Sequence, residues 1–250
     1  MTMDSRLQER RREVAEDRAR VDVRRVVWLL VVLGSVGAAV WLVTSPMLSV
    51  RTISTFGATN AQVSEVLAAE RVVEGRPLIA IRSASVAEAL EADPWVRFAG
   101  VELIFPSHVE ITIEERIGVA WVPMSSRWGL VADDGVLVAY SPQPTNEAAG
   151  VQIRTSDVGL GVRIEEPDVL GAVVFLIALP DDLARRTSIH LKDGELWARV
   201  GERDVRLGRP IDMDAKASAL EAIIGSAPPG VIDVIAPARP AVWSVEPAEG

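Results

Sequence analysis

The apolar and polar positions of this 250-residue chain fall into three regimes. Val26 to Val43 is an apolar run that Thr44 and Ser45 extend, and no charge stands between Arg25 and Arg51. About 20 helical residues at about 1.5 Å each span roughly 30 Å, the depth of a bilayer core. A transmembrane helix is therefore expected over 26–45, with Trp28 and Trp41 at the two interfaces and Pro46 ending it. The next regime mixes periods. Val50 to Gly57 is β-branched and closes on glycine, which predicts a strand and a turn. Asn60 is expected to cap a helix bearing Val63, Val66, Leu67 and Val73, broken by Glu74-Gly75-Arg76-Pro77. Ser85-Val86-Ala87-Glu88 fits a capping box opening a helix through Leu90, stopped at Asp93-Pro94. Trp95 to Ile104 reads as a strand and Phe105-Pro106-Ser107 as a turn. Val109, Ile111 and Ile113 then alternate with Glu110, Thr112 and Glu114, the mark of a half-buried strand.

The third regime is richer in turns. Strands are expected at 119–122, 128–132 and 136–140, with Asp133-Asp134-Gly135 as the turn between the last two. Residues 141–150 read as a polar loop. Pro167 opens a helix to Leu179, ended by Pro180. Strands at 187–191, 195–200 and 203–207, joined at Lys192-Asp193-Gly194 and Gly201-Glu202, form an antiparallel meander. Asp212 caps a helix through Ile224, and Val231 to Ile235 is the last strand. The expected fold class is α+β: one N-terminal transmembrane helix, a β-α-α-β-β module, and a mixed β-domain with an antiparallel meander and flanking helices. The boundaries are 1–25, 26–45, 48–116 and 117–245, with a short tail at 246–250.

Charge adds an orientation. Residues 1–25 hold eight Arg and six acids, so the net −9 of the chain divides into a +2 leader and a −11 remainder. The excess of Arg before the apolar run, against Arg51 alone in the 25 residues after it, puts the N-terminus in the cytoplasm and the bulk of the chain outside. A cleaved signal peptide would need a shorter apolar core and small residues where Trp41-Leu42-Val43 stands, so an uncleaved anchor is expected. Gly34 and Ala38, four apart, suit close packing of a second membrane helix; equally, small residues are common in membrane helices.

Chemistry is mostly excluded. With no cysteine there is no disulfide, thiolate nucleophile or Cys-type metal site. The acidic balance argues against nucleic acid as a partner, the lipid bilayer is expected as one, and no small-molecule substrate or cofactor is expected. His108 reads as a turn residue and His190 as a packed or exposed strand residue. Glu114 and Glu115 are strand neighbours on opposite faces, so they do not converge as an acid/base pair. Asp133-Asp134-Gly135 lacks the alternating oxygen ligands and closing Glu of a calcium loop, and Asp181-Asp182 flank a turn.

The order strand, helix, helix, strand, strand is that of a POTRA module. Several strings narrow it further: Ile53-x-Thr55-x-Gly57, Gly75-x-Pro77-Leu78, Asp93-Pro94-Trp95-Val96, Phe105-Pro106, Val109-x-Ile111-x-Ile113, Glu115-Arg116 and Val119-Ala120. So do Leu130-Val131, Gly135-Val136-Leu137, Leu207-Gly208, Asp212 with Lys216 and Leu220, and Ile232-Asp233-Val234 with Pro237. Over roughly 20–245 the chain resembles the FtsQ/DivIB cell-division family, of an actinobacterial type by its Arg-rich composition. Two departures are Ile117-Gly118, where the family usually has Pro, and Glu102, where a basic residue often stands. The resemblance implies a non-enzymatic, single-pass scaffold of the cytoplasmic membrane, concentrated at the division septum. It would link early and late division proteins and help regulate septal peptidoglycan synthesis. Its partners would be FtsB/FtsL-type proteins and, through them, the FtsW/FtsI synthase. The partner-binding strand implied is Val231, Ile232, Asp233, Val234, Ile235 and Ala236, with Lys216 and Arg239 as charge contacts. The alternative is that this strand is covered within the chain. If it is the free edge, Val234→Pro abolishes partner binding and leaves the domain folded. Two other functions stand beside the scaffold. A single-pass envelope receptor or regulator would signal through a 25-residue leader, too short to fold. A cell-wall enzyme would need a nucleophile or paired acids that the sequence does not supply.

Overall fold

A computed structural model describes residues 24–25, 27–41, 45–145 and 148–243. Positions 27–41 form a helix, α1, on which every residue is exposed. No helix among the described residues is long and apolar enough to cross a membrane. Much of the leader, together with positions 26, 42–44 and the tail, lies outside the described residues. The expected helix end at Ser45 is corrected. Ser45 is buried and caps a 3-10 turn, Pro46–Leu48, its side chain accepting from the Met47 N–H.

A three-stranded sheet follows, built from β1 (Thr52–Phe56), β2 (Val96–Ile104) and β3 (His108–Glu115) in the order β1-β3-β2. β1 runs parallel to β3, and β2 antiparallel to it. Helices α2 (Val63–Ala69) and α3 (Ser83–Glu91) supply the other side of this core, so the element order is the one expected. Val109, Ile111 and Ile113 point inward to meet Leu78, Val86 and Leu90. Each such buried branched side chain contributes about 1.5–3 kcal/mol. Gly57 ends β1 with φ +82, and a Cβ there would lie 2.1 Å from the backbone oxygen of Ile113. Only glycine tolerates both that conformation and that approach.

The caps differ from the sequence expectation. Asn60 caps nothing, and α2 starts from Gln62 without a side-chain cap. The carboxylate of Glu115 does this work from the end of β3. It accepts from the N–H groups of Thr59, Asn60 and Ala61, each at 2.7 Å, and from the Asn60 amide at 3.1 Å. Glu115 is thus a tie between strand and helix entry rather than a solvated strand end. Burial opposes its charge, but these donors outweigh burial and hold its carboxyl below the usual range. Val73 lies beyond α2 and is exposed, and Ser85 falls inside α3, so no capping box forms. His108 opens β3 instead of lying in the turn.

The second sheet has nine strands in the order β12-β11-β10-β9-β8-β7-β4-β5-β6. They are β4 (Gly118–Pro123), β5 (Trp128–Ala132), β6 (Leu137–Ser141), β7 (Ala149–Gln152), β8 (Thr187–Lys192), β9 (Glu195–Val200), β10 (Arg203–Gly208), β11 (Val231–Asp233) and β12 (Ala241–Trp243). β8, β9 and β10 are the expected meander. β7 begins in the last two residues of the expected polar loop and runs beyond it, where no strand is expected. It joins the two halves of the sheet, parallel to both β4 and β8. Helices α4 (Pro167–Ala178) and α6 (Met213–Ile224) pack together against one face, and α5 (Asp181–Ala184) turns the chain back toward β8. Asp181 and Asp182 form the first turn of α5, where carboxylates suit the helix N-terminus. Asp212 precedes α6 in the left-handed region (φ 50) and makes no side-chain cap.

Glu115→Gln keeps the shape but weakens the charge-assisted acceptor. It is expected to cost about 1–2 kcal/mol, the low side because Thr59 and Asn60 are exposed to water. A depressed folded pKa gives stability that is present above the unfolded pKa and lost as pH falls through the folded one. Urea midpoints measured through the acid range should therefore fall more steeply for the native chain than for Glu115→Gln. Parallel curves would refute the tie.

A candidate partner-binding edge and the junction between the sheets

The C-terminal end of the nine-stranded sheet decides where a partner strand can add. β11 is not its edge. It pairs parallel to β10 (Val205 with Ile232, Arg206 with Asp233) and antiparallel to β12 (Val231 with Trp243, Asp233 with Ala241). The expected partner strand is thus covered within the chain. Val231, Ile232 and Val234 are buried, and the Val234 N–H donates to the Arg206 carbonyl at 3.1 Å. Asp233 lies half-buried, its side chain accepting from the Ile235 N–H at 2.8 Å and facing Arg206 at 3.7 Å. Ile235 and Ala236 are exposed in the loop after β11.

The free edge is β12. Among the described residues nothing pairs with its outer side. Val242 faces the core beside Ile232, whereas Ala241 and Trp243 are exposed on the opposite face. An unpaired strand presents a row of main-chain donors and acceptors, which is a template for a further strand. Only Ala241-Val242-Trp243 and its place after Pro240 could have signalled this strand in sequence. Three residues are too few for periodicity to speak.

The two charge contacts also shift. Lys216 is buried, and its ammonium donates to the Arg209 carbonyl at 2.8 Å. Burial pushes its pKa down, and Asp212 and Asp233 oppose that. It therefore ties α6 to the turn after β10 rather than reaching a partner. Arg239 is exposed in the β11–β12 loop, with its N–H on the Ala236 carbonyl. Gly34 and Ala38 lie on exposed α1, and no atom approaches a Cβ placed on Gly34 within 4 Å.

The second construction is the seam between the two sheets. Arg116 follows β3 and sends Nε to Asp134 at 2.7 Å and a terminal nitrogen to the carbonyls of Pro94 (3.0 Å) and Val96 (2.6 Å). Arg97 of β2 pairs with Asp133, lies 3.9 Å from Asp134 and reaches Glu114 at 3.5 Å. Asp133 and Asp134 form the β5–β6 turn, so both acids of that turn hold the first module. Burial alone would raise the Asp134 carboxyl; the Arg116 and Val136 donors and both guanidinium charges hold it low instead. Trp95 packs on Trp121, Leu130, Ala132 and Val138, the apolar part of the same seam. The sequence shows the acids and the arginines but not that they meet, since they lie 18 and 36 positions apart in the chain.

His190 stands on the exposed face of β8 opposite Trp197, its pKa lowered by burial and by the Arg199 charge. Among the described residues no group of three His, Asp or Glu side chains converges as a metal site.

Comparison with known proteins bears on the same segments. The family described as POTRA domain, FtsQ-type, matches residues 48–116. The chain is 30% identical over 210 residues to cell division protein FtsQ of Mycobacterium leprae, covering 82% of this chain and 59% of that one. With FtsQ of Mycobacteroides abscessus it shares 28% over 196 residues, 72% of this chain and 61% of the relative. It spans about three fifths of the length of these relatives. The solved major extracytoplasmic domain of the trans isomer of DivIB from Geobacillus stearothermophilus superposes with a TM-score of 0.32 at 13% identity, over 46% of this chain and 99% of that domain. Residues 48–116 thus match an FtsQ-type POTRA domain, and the chain around them is similar to FtsQ cell-division proteins over most of its length.

Proposed function

We propose that this chain is a non-enzymatic scaffold of the division machinery, which receives an extended segment of an FtsB/FtsL-type partner along the free edge of β12. The single observation that carries the reading is that edge, unpaired among the described residues and bearing an exposed Trp243. Main-chain pairing would supply affinity, and alternate side chains on Trp243 and beside Val242 would supply selectivity. Arg239, exposed in the loop that leads into β12, remains a charge contact at the rim. Through such partners the chain would connect to the FtsW/FtsI synthase and influence septal wall synthesis.

In this reading residues 48–116 and 117–245 are two extracytoplasmic modules on one uncleaved anchor, with the N-terminus cytoplasmic and the protein gathered at the septum. The support for the anchor is the apolar run at 26–45 and the exposure of its described helical part on every side, which suits a non-aqueous surrounding.

The test uses proline along the new edge. In an antiparallel edge strand, successive residues direct their N–H groups alternately to the neighbour and to the open side. Ala241→Pro and Trp243→Pro on one hand, and Val242→Pro on the other, therefore affect opposite sides. The set facing outward should keep the fold, read by thermal melting, and weaken co-purification of the FtsB-type partner at least ten-fold. Full partner binding by folded variants of both sets would remove β12 as the site.

A further inference from the structure

The chain has four phenylalanines. Phe175 is fully buried in the second core, and the other three are exposed on the first module. Phe56 ends β1 and Phe98 lies near the start of β2, each 55% exposed; Phe105, 63% exposed, stands in the β2–β3 turn after the exposed Ile104. Strand register places Phe56 and Phe98 on one face. Val109, Ile111 and Ile113 point to the helices, so Thr112 and Glu114 point away from them, and Phe56 pairs with Thr112 and Phe98 with Glu114. The Phe98 ring lies over Gly100, 3.6 Å from where a Cβ would stand, which shields that glycine yet leaves half the ring in water.

The same face carries Glu102, Glu110 and Glu114. Glu102 and Glu110 are directly opposite on β2 and β3, a like-charge pair that weakens a sheet. Glu102 makes no ion pair among the described residues, and Glu110 has only His108, at 4.0 Å. Glu114 shares Arg97 with the seam acids. Exposed rings and unrelieved like charges on one face both work against the free protein, and both suit a covered one.

We propose that the face of the three-stranded sheet turned away from α2 and α3 is a docking surface for a segment of another polypeptide that carries Lys or Arg between large apolar side chains. The apolar groups would cover Phe56 and Phe98, and the cations would lie between Glu102 and Glu110, where they relieve the repulsion. This surface is separate from the β12 edge and does not depend on it.

The test titrates the full chain in detergent micelles into fluorescein-labelled amphipathic peptides, with Lys spaced every two, three or four residues among Leu and Phe. Anisotropy is read against empty micelles. At least one lysine peptide should bind, and its glutamate counterpart should not. Phe56→Ser, Phe98→Ser and the pair Glu102→Gln with Glu110→Gln should each weaken binding at least ten-fold. Thermal melting should show the glutamine pair no less stable than the native chain, since removing the repulsion favours the fold. Absence of binding by every lysine peptide overturns the proposal. So does binding that depends on the glutamates but not on the phenylalanines, which would be unspecific charge attraction. Self-association of the chain that Phe56→Ser abolishes would assign the face to a second copy instead.

Discussion

Arg116→Ala is expected to lower the unfolding free energy by about 3 kcal/mol and to let the two sheets unfold separately. Its guanidinium is mostly buried and serves three acceptors at once: the Asp134 carboxylate and the carbonyls of Pro94 and Val96. Removing one member of a buried, hydrogen-bonded pair leaves the others desolvated and unpaired, which costs about 3–5 kcal/mol. Asp134 is partly exposed, so water recovers some of that and the lower end applies. Arg116→Lys keeps the charge but not the planar fork and should recover only part. Urea unfolding followed by tryptophan fluorescence would show the loss, because Trp95 and Trp121 lie in the seam. A single transition at the native midpoint would mean that Arg116 does not join the modules.

Val234→Pro is expected to destabilise the second module by about 3 kcal/mol or more, contrary to the sequence expectation that it would spare the fold. Val234 is fully buried, and its N–H holds the Arg206 carbonyl. Proline removes that donor and fits poorly into a packed site beside a sheet. Loss of partner binding in this variant would therefore report unfolding, not edge recognition. Far-ultraviolet circular dichroism against temperature separates the two cases. A native-like melt would put the end of β11 outside the core.

The contrast between Val234 and β12 shows what kind of information was legible. Alternation of Val109, Ile111 and Ile113, the Asp-Gly turns of the meander and the Pro-bounded helix 167–178 are local patterns, and each became an element near its expected limits. β7 and β12 have four and three residues, and their strand state comes from neighbours distant in sequence. Asn60 and Ser85 carry cap-forming chemistry without forming caps. Glu115, 54 positions beyond Ala61, satisfies the α2 entry first. Asp133 and Asp134 looked like a plain turn because their partners, Arg97 and Arg116, belong to the other module.

By itself, then, the sequence determined the order of the longer elements, the two modules' apolar faces and the split between a basic leader and an acidic remainder. Those follow from periodicity and charge, which act over a few residues. The tertiary structure decided which strand is left at the edge, which carboxylates are tied and which are left facing one another. Pairing across a sheet joins residues by register rather than by proximity in the chain. A strand's value to a partner depends on whether another strand of its own chain reached it first.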